Sequence, residues 1–319
     1  MRFTAAILLL ALCGCSTTVQ VAARFPANNP DAALLRKVAV ADFDGREGGH
    51  FANALGKMLA SAEFDGRRYF TVYNGGEGVS PDGALSFGRA IGAEGVFYGR
   101  MQSVHFDEFP WEEREKRCVE KDRDGKCVRK EMFVRPCVRR TFAMEVVPML
   151  VEVKSGRIVY QTQRSAGSET SWCRGDIQPI SDDDMIDGAI NTILTGIRPD
   201  IAPYNTILRA TVIEIKDGLS EADAKLFDSA VTAAGKGDLS TACHTWDGLA
   251  QSNPGHPWTI YNIGVCAEAN GDFPGALAHY EKARGLAVKS NNDVTESIAR
   301  VNNLIAAQKE LRRTAKPRK

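Results

Sequence analysis

Excess charge of either sign is missing from this chain: forty Lys and Arg balance forty Asp and Glu over 319 residues. A nucleic-acid binder carries a basic footprint, and a net charge of zero leaves none. The tail from Arg312 to Lys319 (312–319) is basic but short, and reads as a solvated end. Long apolar runs are missing as well. A spanning helix needs about 20 apolar residues, and no run in the body of the chain approaches that, so the body is expected to be water-soluble. Catalytic signatures are also absent: there is no GxSxG, no HExxH and no Walker loop. Gly75-Gly76-Glu77-Gly78 is glycine-rich, but it runs toward Pro81 and lacks the phosphate-loop lysine pattern. His50 and His105 have no recognisable partner spacing. His244, His256 and His279 fall in or between helices as packing, groove or surface residues. Asp182-Asp183-Asp184 opens a helix, where carboxylates complement the dipole. No catalytic residue, cofactor or metal is expected.

The N-terminus carries one positive charge at Arg2, an apolar stretch from Ala5 to Leu12, and then Cys13-Gly14-Cys15-Ser16. This stretch is too short for a permanent span and has the flanks of a signal peptide. Leu12-Cys13-Gly14-Cys15 also resembles a bacterial lipobox, with an aliphatic residue three before the cysteine and a small one just before it. The resemblance implies cleavage after residue 14 and fatty acylation, such as palmitate, on Cys15. Each buried methylene adds about 0.8 kcal/mol of anchoring. Ser16 in place of Asp implies an outer-membrane destination, facing the periplasm of a Gram-negative cell. Residues 15–35 then read as a polar tether containing proline and asparagine.

Six cysteines remain: Cys118, Cys127, Cys137, Cys173, Cys243 and Cys266. An even number in an exported chain points to disulfides. Cys118 and Cys127 flank the turn-like Asp122-Arg123-Asp124-Gly125. Cys137 and Cys173 stand symmetrically about Ser155, so a hairpin centred there brings them opposite each other. Those two pairings are favoured among the three possible. A zinc site is the competing reading, disfavoured because close CxxC pairs are absent. Cys243 and Cys266 lie on helices expected to be neighbours, and either form a staple or stay as two free buried thiols.

The C-terminal third repeats itself at a spacing of 34 residues. Leu226, Ala230, Gly237-Asp238, Ala242, Trp246 and Leu249 recur as Ile260, Gly264, Gly271-Asp272, Ala276, Tyr280 and Ala283. That period, with small residues and a Gly-Asp turn, is the tetratricopeptide signature. Gly264 and Ala276 are small where two helices approach, and Phe273 and Tyr280 fill the core. Val294, Ile298, Val301, Leu304 and Ile305 recur at helical spacing and predict a capping helix over 293–311. Stacked repeats need such a cap. Trp258, Asn262 and Glu268 are the candidate partner-binding residues of the repeat groove.

Upstream, Lys37 to Phe43 and Tyr69 to Tyr73 read as strands, and Gly48 to Ala62 as a helix. A second helix starts at Asp82, and Gly95 to Met101 reads as a third strand. Arg140 to Val153 and Arg157 to Gln163 form a hairpin around Gly156. Asp182 to Ile197 is a helix and Ile207 to Ile215 a strand. The opening VAVADF, the IGAEGVFYGRM step and the SGRIVY hairpin resemble the periplasmic domain of the curli-secretion lipoprotein family, CsgG. That superfamily includes activators of penicillin-binding proteins. The resemblance covers residues 36–216 and implies the fold and the lipid anchoring. Residues 104–140 depart from it as a charged, cysteine-containing insert. With charges on both faces it cannot line a membrane barrel.

The expected architecture is an α/β domain of the CsgG type over 36–216, followed by an all-α tetratricopeptide domain over 219–311. The expected role is a non-enzymatic envelope scaffold or adaptor that binds envelope proteins through its repeats, with homo-oligomerisation open. The alternatives are a secretion-channel subunit and an activator of a cell-wall synthase.

Overall fold

The computed structural model describes residues 16–75, 80–176 and 180–314. Along the chain run β1 (Thr18–Phe25), α1 (Pro30–Ala33), β2 (Lys37–Asp44), α2 (Gly48–Ser61), β3 (Glu63–Phe64), β4 (Arg67–Arg68), β5 (Thr71–Asn74), α3 (Pro81–Ile91) and β6 (Gly95–Lys121). There follow β7 (Cys127–Glu152), β8 (Ile158–Gln161), β9 (Arg164–Cys173), α4 (Asp182–Ile201) and β10 (Tyr204–Thr211). The chain ends in α5 (Glu221–Gly235), α6 (Leu239–Ser252), α7 (Pro257–Ala269), α8 (Phe273–Leu286) and α9 (Asn292–Thr314). It divides into two compact units, Ala27–Tyr204 and the residues up to Pro26 together with Asn205 onward. The fold is thus a mixed α/β unit and a mainly helical one.

The α/β unit is built on a sheet ordered β5-β2-β6-β7-β8, with β9 also on β7. β2 is parallel to β5 and to β6, while β6 through β9 run antiparallel. Side chains alternate across a strand, and β2 shows it up to an irregularity between Val40 and Phe43 that moves Phe43 to the face of Val38 and Val40. Val38, Val40 and Phe43 join the core that also contains Phe51, Leu55 and Leu59 of α2 and Ile186, Ile190 and Ile193 of α4. Ala39 and Ala41 point the other way, toward the cluster that includes Ala84 of α3. Burial on both faces is why this strand reads as a continuous apolar run. Ser181 caps α4 by accepting the Asp184 amide at 3.1 Å, as the sequence at 181–184 leads one to expect.

The helical unit stacks two hairpins, α5 with α6 and α7 with α8, against α9. The 34-residue offset is visible atom by atom. Gly237 and Gly271 take the positive φ of each turn, +83° and +78°. Asp238 and Asp272 then cap the second helix of each hairpin, accepting the Thr241 amide at 3.2 Å and the Gly275 amide at 3.0 Å. Trp246 and Tyr280, at equivalent positions, are fully buried. A Cβ on Gly264 would stand 2.7 Å from the Tyr280 ring, so the close approach expected there is real.

Two expectations change and one is refined. Residues 15–35 are not a free tether: Thr18–Phe25 forms β1, which pairs with β10 inside the helical unit. Val19, Val21 and Ala23 are buried there, a period-two pattern that the tether reading passed over. The strand near 207–215 accordingly belongs with the helices and not with the sheet, so the boundary at 216 does not hold. The charged insert expected within the domain at 104–140 is an extension of two of the sheet's own strands. β6 and β7 run through them without a break, pairing from Gly95↔Glu152 to Lys121↔Cys127.

Candidate interaction surfaces

Among the described residues, the long β6–β7 ribbon pairs with further strands only near its base. β9 follows β7 as far as the pair Cys137↔Cys173. Beyond it, Glu112 to Lys121 and Cys127 to Pro136 form a two-stranded arm of about ten residue pairs, roughly 30 Å long at a strand's rise. A two-stranded hairpin alone is marginal in water. This one is braced at both ends. Cys118 and Cys127 form a disulfide beside the tip, with Cα atoms 5.8 Å apart. In the turn between them the Asp122 carboxylate accepts the amides of Asp124 at 3.0 Å and Lys126 at 2.8 Å. At the base, Cys137 and Cys173 form a second disulfide across β7 and β9. The third pair, Cys243–Cys266, staples α6 to α7. Glu113 approaches the sulfurs of Cys137 and Cys173, but two bonded sulfurs are not thiolate ligands, so the zinc alternative finds no donor set at those cysteines.

Residues opposite each other on the arm share a face. One face carries Trp111 beside Cys137, Glu113 beside Arg135, Glu115 beside Phe133 and Arg117 beside Glu131. The other carries Glu112, Arg114, Lys116 and Cys118 beside Pro136, Val134, Met132 and Lys130. Trp111 is 46% exposed, Phe133 41%, Val134 51% and Met132 55%. Ion pairs hold the charged residues in place: Arg135 donates to Glu113 at 2.6 Å and to Asp176 at 2.7 Å, and Arg129 to Glu120 at 3.1 Å. Asp176 also accepts the Cys173 amide, and these bonds, the amide first, hold its carboxyl below the usual range. The Arg117 guanidinium lies over the Phe133 ring at 5.6 Å, and Arg139 over Phe109 at 5.4 Å. Sequence reasoning found the cysteines and the charges of this arm. The exposed apolar residues between them were the signal it passed over.

The residues nominated on the repeats are placed differently. Asn262 is fully buried; its amide takes the Ile213 N–H at 3.0 Å and gives a bond to the Ile213 carbonyl at 2.9 Å. Glu268 is fully buried too. It accepts Arg300 at 2.6 and 2.8 Å and the Tyr280 hydroxyl at 2.6 Å. Both are spent inside the unit, so neither can face a partner. Trp258 is half-buried against the same core. The β1–β10 ribbon packs on α5, α7 and α9, a filling element that the repeat pattern alone does not announce. Cys15 lies outside the described residues, as do the signal sequence and the last five residues of the tail.

One groove lies between α2 and α4, about 690 Å³ in volume and lined by His50, Lys57, Met58, Asn191 and Arg198 among others. His50 Nε2 meets Asp187 at 2.8 Å. The hydroxyls within the groove, on Ser61 and Thr195, donate to the backbone carbonyls of Met58 and Asn191.

No helix among the described residues is long and apolar enough to cross a membrane. No protein-family model matches the chain, and no curated protein does. Among solved structures the chain is similar to the PelC dodecamer from Paraburkholderia phytofirmans at 16% identity and a TM-score of 0.28, over 57% of this chain and 99% of that one. It is similar to a point variant of that dodecamer at 18% identity and a TM-score of 0.27, over 59% of this chain and 99% of that one. Likeness at this level carries no argument about what this chain does.

Proposed function

We infer that this protein is a lipid-anchored envelope adaptor, held through Cys15 at the periplasmic face of the outer membrane, and that it works by binding another protein, without catalysis. The observation that carries the reading is the arm: a covalently braced ribbon with exposed Trp111, Phe133, Met132 and Val134 among ion-paired charges. Aromatic and arginine side chains on a rigid support are what binding hot spots are made of. Exposed apolar side chains on a ribbon that is otherwise charged fit a protein interface better than solvent. The repeats, of tetratricopeptide type in this reading, support the module, and their innermost polar residues are structural. The pore reading, with its curli-type hairpin, fares worse, since acidic and basic residues occupy both faces of the arm.

A photo-crosslinker in place of Met132, in cells making the full chain, tests this. The expected result is an adduct with one envelope protein that Trp111→Ala with Phe133→Ala abolishes. An adduct with a second copy of the chain replaces the adaptor by self-assembly. No adduct at any arm position removes the reading.

A further inference from the structure

We propose that the helical unit lies directly on the phospholipid surface, with the end of the unit around Thr17, Ile215 and Lys236 against the headgroups. This rests on the acylation of Cys15. The argument is one of reach. Thr17 is already fixed: its carbonyl accepts the Val212 amide at 2.8 Å and its amide donates to Glu214 at 3.3 Å. From Cys15 to Thr17 the chain spans two residues, about 7 Å when fully extended. A tether of twenty residues would have allowed roughly ten times that. β1 does not slide out to lengthen it, because Val19, Val21 and Ala23 are buried in the unit's core.

The surface that this places at the membrane has suitable chemistry. Gly235, the last residue of α5, lies beside Thr17, within 3.5 Å of its side chain when given a Cβ. Lys236 follows, exposed, on the α5–α6 turn. On the other side, Glu214 is followed by exposed Ile215, 40% accessible, and by Lys216, whose ammonium is paired with Asp228, which leaves Lys236 as the lysine facing the headgroups. Lysines near a surface favour anionic headgroups, and an isolated apolar side chain can enter the headgroup zone. The occupant of this end is therefore the lipid surface itself.

The test uses the full-length lipidated chain in vesicles of phosphatidylethanolamine with a minority of phosphatidylglycerol and a trace of nickel-chelating lipid. Lys236→Cys carries a nitroxide, and its relaxation by headgroup nickel is read. A second chain carries a flexible Gly/Ser spacer of about twenty residues between Ser16 and Thr17, which adds about 25 Å of mean reach. Strong relaxation at the native spacing, falling several-fold with the spacer, supports the proposal. Weak relaxation at both spacings, with the acyl mass present, overturns it and leaves the anchor standing. Absence of the acyl mass overturns both.

Discussion

At the scale of single residues, buried polar groups decide what the helical unit tolerates. Glu268 and Arg300 share two bonds beneath the Tyr280 hydroxyl. Glu268 withholds its charge from solvent entirely, and burial with that carboxylate pushes the Tyr280 hydroxyl's pKa up. Removing one partner of a buried pair costs about 3–5 kcal/mol, because the other charge is left unpaired. Glu268→Ala is expected to lose that much in urea unfolding, and Glu268→Ala with Arg300→Met to recover much of it. His256 gives a pH dependence. Its Nδ1 accepts the Thr259 amide at 3.2 Å and so caps α7 as a neutral ring. Burial lowers its pKa below the ordinary value of 6.5, while Asp217 pulls more weakly upward. The unfolded chain therefore takes up the proton first, and the stability His256 contributes is whole above the ordinary histidine value and shrinks as pH falls below it. Thermal melts from pH 8 to 5 are expected to show Tm falling through that window, less so in His256→Ser, which keeps a cap oxygen. His279, also shifted downward by burial, accounts for slope that remains.

Elements differ in how openly the sequence declares them. The helical hairpins were plain, because Gly237 with Asp238 and Gly271 with Asp272 repeat a turn that only certain residues make. Adding a methyl at Gly264, against the Tyr280 ring, is expected to cost about 1–3 kcal/mol by overpacking, measured as a shift in denaturation midpoint. The register of the β7–β9 pairing was readable too, since Cys137 and Cys173 sit where symmetry about Ser155 puts them. The arm was not readable as strands. Period-two patterning appears when one face is buried and the other wet, and from Glu112 to Lys121 both faces are wet. β1 was lost for a different reason: its alternation of Val19, Val21 and Ala23 is short and follows directly on the signal-like stretch, and its partner strand lies nearly two hundred residues away. The tip disulfide belongs to this scale as well. Closing a loop of nine residues restricts the open arm by about 2–3 kcal/mol in the chain-entropy account. Cys118→Ser with Cys127→Ser is expected to speed amide exchange across Glu112 to Pro136 while the melting of the helical unit is unchanged.

For the whole molecule, the order of the chain matters more than any contact. The helical unit begins with β1, breaks off at Pro26 and resumes at Asn205. The end of β10 meets the start of β1, through the Val212 bond to Thr17, so the two strands run antiparallel and both crossings to the α/β unit leave from the same end of the ribbon. Removing β1 is thus expected to damage the distant helices: a chain starting at Ala27 should keep the sheet's near-native spectrum and lose cooperative melting of 205–314. Synthesis runs from the N-terminus, and its clock sets a further consequence. At about 5–20 residues per second, β1 is made roughly 10–35 s before the strand that covers it. For all that time Val19, Val21 and Phe25 stand on an unpaired edge of the kind that attracts other chains. β1 is therefore synthesised early and completed late, since Thr18–Phe25 has no partner strand until Tyr204–Thr211 has been made.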